Sequence, residues 1–145
     1  YLKHARGCLR RGGVFVADMY GGSDAFSPLS LAQKLKGPNG EAIEYTWTQK
    51  EADHLTNRVI DTLSFKVTPR GKGAKAYTLN DAFIYDWRLW SIPELTDAMH
   101  EAGFSAVEVY ADLGDAIDQD GRLLVRPVEP GELDDNFVVY FVGRR

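Results

Sequence analysis

The opening stretch, Tyr1 to Asp18, constrains this chain more than any other. It has the pattern of a helix, a two-glycine stop and a short apolar strand that ends in an acid. Leu2, Ala5 and Leu9 recur at three- and four-residue spacing, which sets them on one helical face. Arg6, Arg10 and Arg11 fall late in that run, where cations suit the negative end of a helix. Gly12 suits the left-handed residue that ends a helix. Val14-Phe15-Val16-Ala17 is too continuously apolar for a half-exposed strand, so a strand buried on both faces of a parallel sheet is expected. Ligands of open α/β sheets gather outside the carboxyl ends of the strands, which puts Asp18, Tyr20, Gly21 and Gly22 on the functional side.

At 145 residues the chain is long enough for one domain with a real core. Its net charge of −4 and lack of a basic arm argue against nucleic acid as the main partner. One cysteine, Cys8, excludes an internal disulfide and a thiolate-rich metal site, and a cytoplasmic setting is expected. No run reaches the ~18 apolar residues of a membrane span, so no membrane partner is expected. Tyr1 already stands inside the helical pattern and is not an initiator methionine, so the chain reads as a piece of a longer protein.

Leu29, Leu31, Ala32 and Leu35 suggest a short helix that stops at the turn Gly37-Pro38-Asn39-Gly40. Three extended stretches follow. In Glu41–Lys50, Ile43, Tyr45 and Trp47 alternate with polar residues. In Arg58–Thr68, Val59, Leu63, Phe65 and Val67 share a face. Ala76–Arg88 is the third, with Asn80-Asp81 as a possible interruption. Together they predict a three-stranded antiparallel meander. Gly71-Lys72-Gly73-Ala74-Lys75-Ala76 has the letters of a dinucleotide loop but no following helix, and reads as a turn. Ser91-Ile92-Pro93-Glu94 is a capping box, with proline in the first turn and Leu95, Ala98, Met99 and Ala102 as the buried stripe. Ala106–Ala111 and Phe137–Val142 close the chain as strands, the latter apolar on both faces. Between them runs an acidic connection, Asp112 to Asn136, whose Asp112, Asp115, Asp118, Asp120, Glu129, Glu132, Asp134 and Asp135 face only Arg122 and Arg126.

Three phrases, in this order, resemble the C-terminal half of a class I S-adenosylmethionine-dependent methyltransferase. They are Leu9-Arg10-Arg11-Gly12-Gly13-Val14-Phe15-Val16-Ala17-Asp18, then Ser91-Ile92-Pro93-Glu94-Leu95 running to Ala102-Gly103-Phe104, and last Phe137-Val138-Val139-Tyr140-Phe141-Val142. The resemblance implies an α/β fold: the second half of a Rossmann-like methyltransferase sheet, its final strand reversed between the fifth and sixth. Residues 1–20 and 91–145 would form that half, and residues 21–90 an inserted antiparallel cap for substrate binding or dimerisation. It further implies S-adenosylmethionine as cofactor and a small-molecule methyl acceptor. The glycine-rich loop and the ribose-binding acid of the family are not among these residues, so cofactor-binding positions cannot be carried over and the chain alone is expected to be inactive.

The candidate site residues follow from position and chemistry. Asp18 and His54 are the candidate catalytic groups. Asp18 ends a strand, and His54, in the loop 51–57, is of the residue type suited to proton transfer near neutral pH. Tyr20, Trp47, Tyr85 and Arg88 are the candidate acceptor-binding residues. No histidine pair has metal-ligand spacing, and no metal is expected. The rival from another class is a non-catalytic interaction module, since a half-sheet with an unpaired edge invites a homodimer.

Overall fold

The computed structural model describes residues 1–71, 73–111, 119–121 and 125–145. Asp112, Asp115, Asp118 and Arg122 of the acidic connection, and Lys72 of the glycine-rich turn, lie outside the described residues. The chain divides into two compact units, one of residues 1–25 and 90–145, the other of residues 26–89. Among the described residues no helix is long and apolar enough to cross a membrane.

The first unit contains α1 (Leu2–Cys8), β1 (Val14–Gly21), α2 (Ile92–Glu101), β6 (Ala106–Tyr110) and β7 (Phe137–Arg144). Its sheet has the order β1-β7-β6, and β7 is antiparallel to both neighbours. Phe15, Ala17 and Met19 of β1 therefore share a face with Val139, Phe141 and Gly143 of β7 and with Val107 and Val109 of β6. Met19, Met99, Phe104, Val139 and Phe141 form the buried cluster, with Leu2, Leu9, Ile92 and Leu95 packed against it. Both helices thus cover one face. α2 starts where the sequence requires: the Ser91 hydroxyl accepts from the Glu94 N–H at 3.3 Å, and Glu94 accepts from the Ser91 N–H at 2.8 Å. It lies so close to the sheet that a Cβ on Gly143 would stand 2.4 Å from Met99 Cε.

α1 ends at Cys8, before Arg10 and Arg11, because Leu9 is already extended. Its terminal carbonyls are met by Arg145, whose guanidinium donates to Gly7 O at 3.1 Å and to Leu9 O.

The second unit holds β2 (Leu29–Lys36), β3 (Ala42–Asp53), β4 (Arg58–Thr68) and β5 (Tyr77–Arg88), a meander in the order β2-β3-β4-β5. The expected helix over 29–35 is a strand, and the meander has four strands rather than three. The leucine spacing serves either structure. Pairing with β3 decides it, setting Leu31 opposite Trp47 and Leu35 opposite Ile43. Asn80-Asp81 does interrupt β5. Leu63 faces Phe83 but Phe65 faces Leu79, so extra residues bulge from β5, and Asp81 takes a φ of 45°.

The expected α/β fold with a parallel Rossmann-like sheet is overturned. Among the described residues every strand pairing is antiparallel, and the strands form two separate sheets. Two further expectations fail with it. β1 and β7 are not buried on both faces: Val14, Val16 and Val138 are exposed, while Met19, Val139 and Phe141 are buried. Helices cover only the inner face, so apolar residues of the other parity stay at the surface. The final strand runs antiparallel between β1 and β6.

Candidate functional site: an aromatic sheet face

The sheet of the second unit is two-faced. Opposed residues of antiparallel strands project to the same side. One side therefore collects the rows Leu31–Trp47–Leu63–Phe83 and Gln33–Tyr45–Phe65–Leu79. Val59 and Trp87 extend the same side past a bulge in β3 between Gln49 and Glu51. The rings touch across strands. Trp47 stacks on Tyr85 at a centroid distance of 5.6 Å and lies 5.8 Å from Trp87, and Tyr85 and Trp87 are 4.7 Å apart. Phe65 joins Tyr45 to Phe83 at 6.3 and 6.2 Å. Much of this surface is open: Phe83 is 54% exposed, Leu31 52% and Trp87 39%.

One row on that face is polar, Gln49, Asp61 and Tyr85; Gln49 and Asp61 are buried, 4% and 0% exposed, and Tyr85 is half-buried. The Gln49 side chain donates to Ser27 O at 2.6 Å. The opposite face is polar. Lys50 pairs with Asp81 at 2.6 Å, Arg58 pairs with Asp86, and the Ser64 hydroxyl accepts from the Asp81 N–H at 3.0 Å. The hydrogen bond from the Lys50 ammonium is the main cause that holds the Asp81 carboxyl below its ordinary range, which makes it a weaker base than an ordinary carboxylate.

The structure brings some of the sequence-derived candidates together and separates others. Trp47 and Tyr85 are in ring contact, and Trp87 completes the group. Arg88 is on the same strand but at the other parity, with Asp86 on the polar side, so it does not share a face with Trp47 and Tyr85. His54 sits exposed in the turn between β3 and β4 and stacks on Phe26 at 4.7 Å. Beside it Asp53 closes the turn, accepting from the Leu55 N–H at 2.9 Å and the Thr56 hydroxyl at 2.7 Å. Those bonds, the Thr56 hydroxyl first, hold the Asp53 carboxyl low.

Asp18 and Tyr20 belong to the first unit, His54 to the second. Asp18 is exposed on the outer face of β1, in a row with Tyr140 and Tyr110. The turn after β1 is held from elsewhere. Asp135 O accepts from the Asp24 N–H at 3.0 Å, and Asp135 Oδ1 accepts from the Ser23 hydroxyl at 3.0 Å. Gly22 has a φ of 108°, and a Cβ there would lie 2.2 Å from Asp135 O. Gly22 is therefore required by a close chain crossing with Asp135, while Gly21, the last residue of β1, lies against the Phe137 ring.

Among the described residues no group of three histidine, cysteine or acidic side chains could hold a metal ion. Neither a protein-family model nor a curated protein matches the chain.

Proposed function

We propose that this chain supplies the acceptor-binding side of a cytoplasmic S-adenosylmethionine-dependent methyltransferase that acts on a small molecule. One observation carries the proposal. The three phrases that resemble the methyltransferase family fold into one unit, and the last of them runs reversed between the strands on either side. A parallel sheet is no part of the proposal, since the chain does not form one.

S-adenosylmethionine supplies an activated methyl group when bound. At the turn after β1, Asp135 O stands against Gly22, so this turn is not assigned to it. Cofactor binding is accordingly assigned outside these residues, and the chain alone is expected to be inactive. The chain's own contribution is to hold the acceptor. A flat apolar acceptor lies against the rings of Trp47, Tyr85 and Trp87, which present area at low entropic cost. Holding an acceptor in one orientation and excluding water is most of what a single displacement asks of a protein. Where the acceptor must lose a proton, His54 of the same unit is the candidate base. Arg88, on the polar face, is assigned no contact with a ligand held by the rings.

The test is transfer of labelled methyl from S-adenosylmethionine into a cell-derived small-molecule fraction by the full-length gene product. The Trp47→Ala, Tyr85→Ala double variant is run beside it. Labelled small molecules are expected from the native enzyme, with about tenfold or greater loss in the double variant, since stacking contacts of this kind are worth ~1 kcal/mol each beyond their buried area. Binding of S-adenosylhomocysteine should be unchanged by the two substitutions. Label confined to macromolecules, or a double variant as active as the native protein, would contradict the proposal.

A further inference from the structure

Charge is segregated across the sheet of the second unit. Among the described residues of its four strands, every cation lies off the aromatic face. Lys34, Lys36, Arg58, Lys66 and Arg88 have the opposite parity, and Lys50 stands at the bulge of β3, paired with Asp81. The acids Glu44, Glu51, Asp53 and Asp86 share that polar side. One strand acid remains among the rings, Asp61. It lies directly opposite Tyr85, and Trp47 and Trp87 take diagonal positions on the two flanking strands. Directly opposed Cβ atoms of a sheet stand about 5 Å apart and diagonal neighbours about 7–8 Å. Asp61 is fully buried. A carboxyl is costly in such a place, and a face meant only for apolar surface has no use for one.

We propose that the ligand of this face is an organic cation, a flat apolar molecule with an ammonium or similar charged nitrogen held over Trp47, Tyr85 and Trp87. The proposal rests on the assignment of these rings to the methyl acceptor, and it names the acceptor's chemical class. Ring faces carry the negative part of the aromatic quadrupole, and tryptophan attracts a cation most strongly. The three rings are in mutual contact and partly open, so they form one platform. Asp61 adds charge of the same sign from the buried side, without touching the ligand, and no cation of the strands shares that face. A cation therefore gains from both the rings and the acid. A neutral flat molecule gains from the rings alone, and an anion is repelled.

Titration of the 145-residue chain with two probes of one shape, followed through the tryptophan indole resonances, tests the inference without cofactor or turnover. The probes are para-hydroxyphenyltrimethylammonium and its neutral isostere para-tert-butylphenol, at neutral pH. The cation is expected to shift the Trp47 and Trp87 signals and to bind about fivefold more tightly than the neutral probe, or better. Trp87→Leu keeps apolar surface but removes a ring face, and Asp61→Asn removes the acid at nearly constant shape. Each should shrink the ratio of the two affinities about threefold. Circular dichroism checks the fold of the variants, and the native comparison needs none of them. Equal affinity of the native chain for the two probes, or tighter binding of the neutral one, would overturn the cation and leave the rings as an acceptor site. An unchanged ratio in the folded variants would overturn it in the same way. Binding of neither probe would overturn the cation and the acceptor site together. Indole signals that move with protein concentration before any probe is added would put a second copy of the chain on the rings, and would overturn the proposal as well.

Discussion

Replacing Phe141 by alanine is expected to cost the first unit about 3–5 kcal/mol, a large part of the roughly 5–15 kcal/mol that stabilises a typical domain. Phe141 is fully buried at the centre of β7, the strand that joins β1 to β6. It belongs to the same cluster as Met99 of α2 and Met19 of β1, so truncation opens a cavity where sheet and helix meet. The loss should be local. Amide exchange should accelerate in β1, β6 and β7 and stay near native in β3 and β4, because residue 141 lies in the first unit and those two strands in the second. Equal acceleration in both sheets, or none in the first, would show that the division into two units is wrong.

Gly22→Ala carries the next largest effect, about 2–5 kcal/mol from two independent sources. The φ of 108° is unfavourable for any residue with a side chain, and the new methyl would collide with Asp135 O, a backbone atom that cannot swing aside. Gly12→Ala is the comparison. Gly12 has a φ of 76° but nothing within 4 Å of its missing Cβ, so only the conformational part of the cost remains. Denaturant midpoints of the two variants separate strain from collision. Exchange at the Asp24 amide, which donates to Asp135 O, should rise only in Gly22→Ala. Equal midpoints for the two variants would mean that the chain does not cross there.

What could be read in the sequence was what local chemistry decides. The Ser91–Glu94 box is a reciprocal contact within four residues, and α2 begins there as expected. β3 and β4 alternate apolar and polar residues over a long span, and both formed. β2 could not be read, because Leu29, Ala32 and Leu35 match helical spacing while Leu29, Leu31 and Leu35 match a strand face, and only the partner strand chooses. The apolar runs of β1 and β7 gave their strands but not their burial. An apolar residue does not report whether a helix will cover it, and in this unit both helices went to the same face.

For the candidate site, residue type points to Trp47 and Tyr85, and strand parity decides which neighbours join them. Tyr85 and Trp87 are two apart on β5 and must share a face, while Arg88 must not. The glycines after β1 suggested a ligand loop by their type, and the structure gives them a steric reason instead. The burial of Asp61 and Gln49 left no local signal, since it depends on strands brought together from distant parts of the sequence.

Whether these residues hold the acceptor side and not the cofactor side of a methyltransferase is best decided by calorimetric titration with S-adenosylhomocysteine, using the 145-residue chain and, if one exists, the longer product of its gene in parallel. We expect saturable heat from the full-length protein and none from the 145 residues. Binding by the 145 residues alone would place a cofactor site on a chain that is assigned none, and no binding by either protein would contradict the methyltransferase assignment itself.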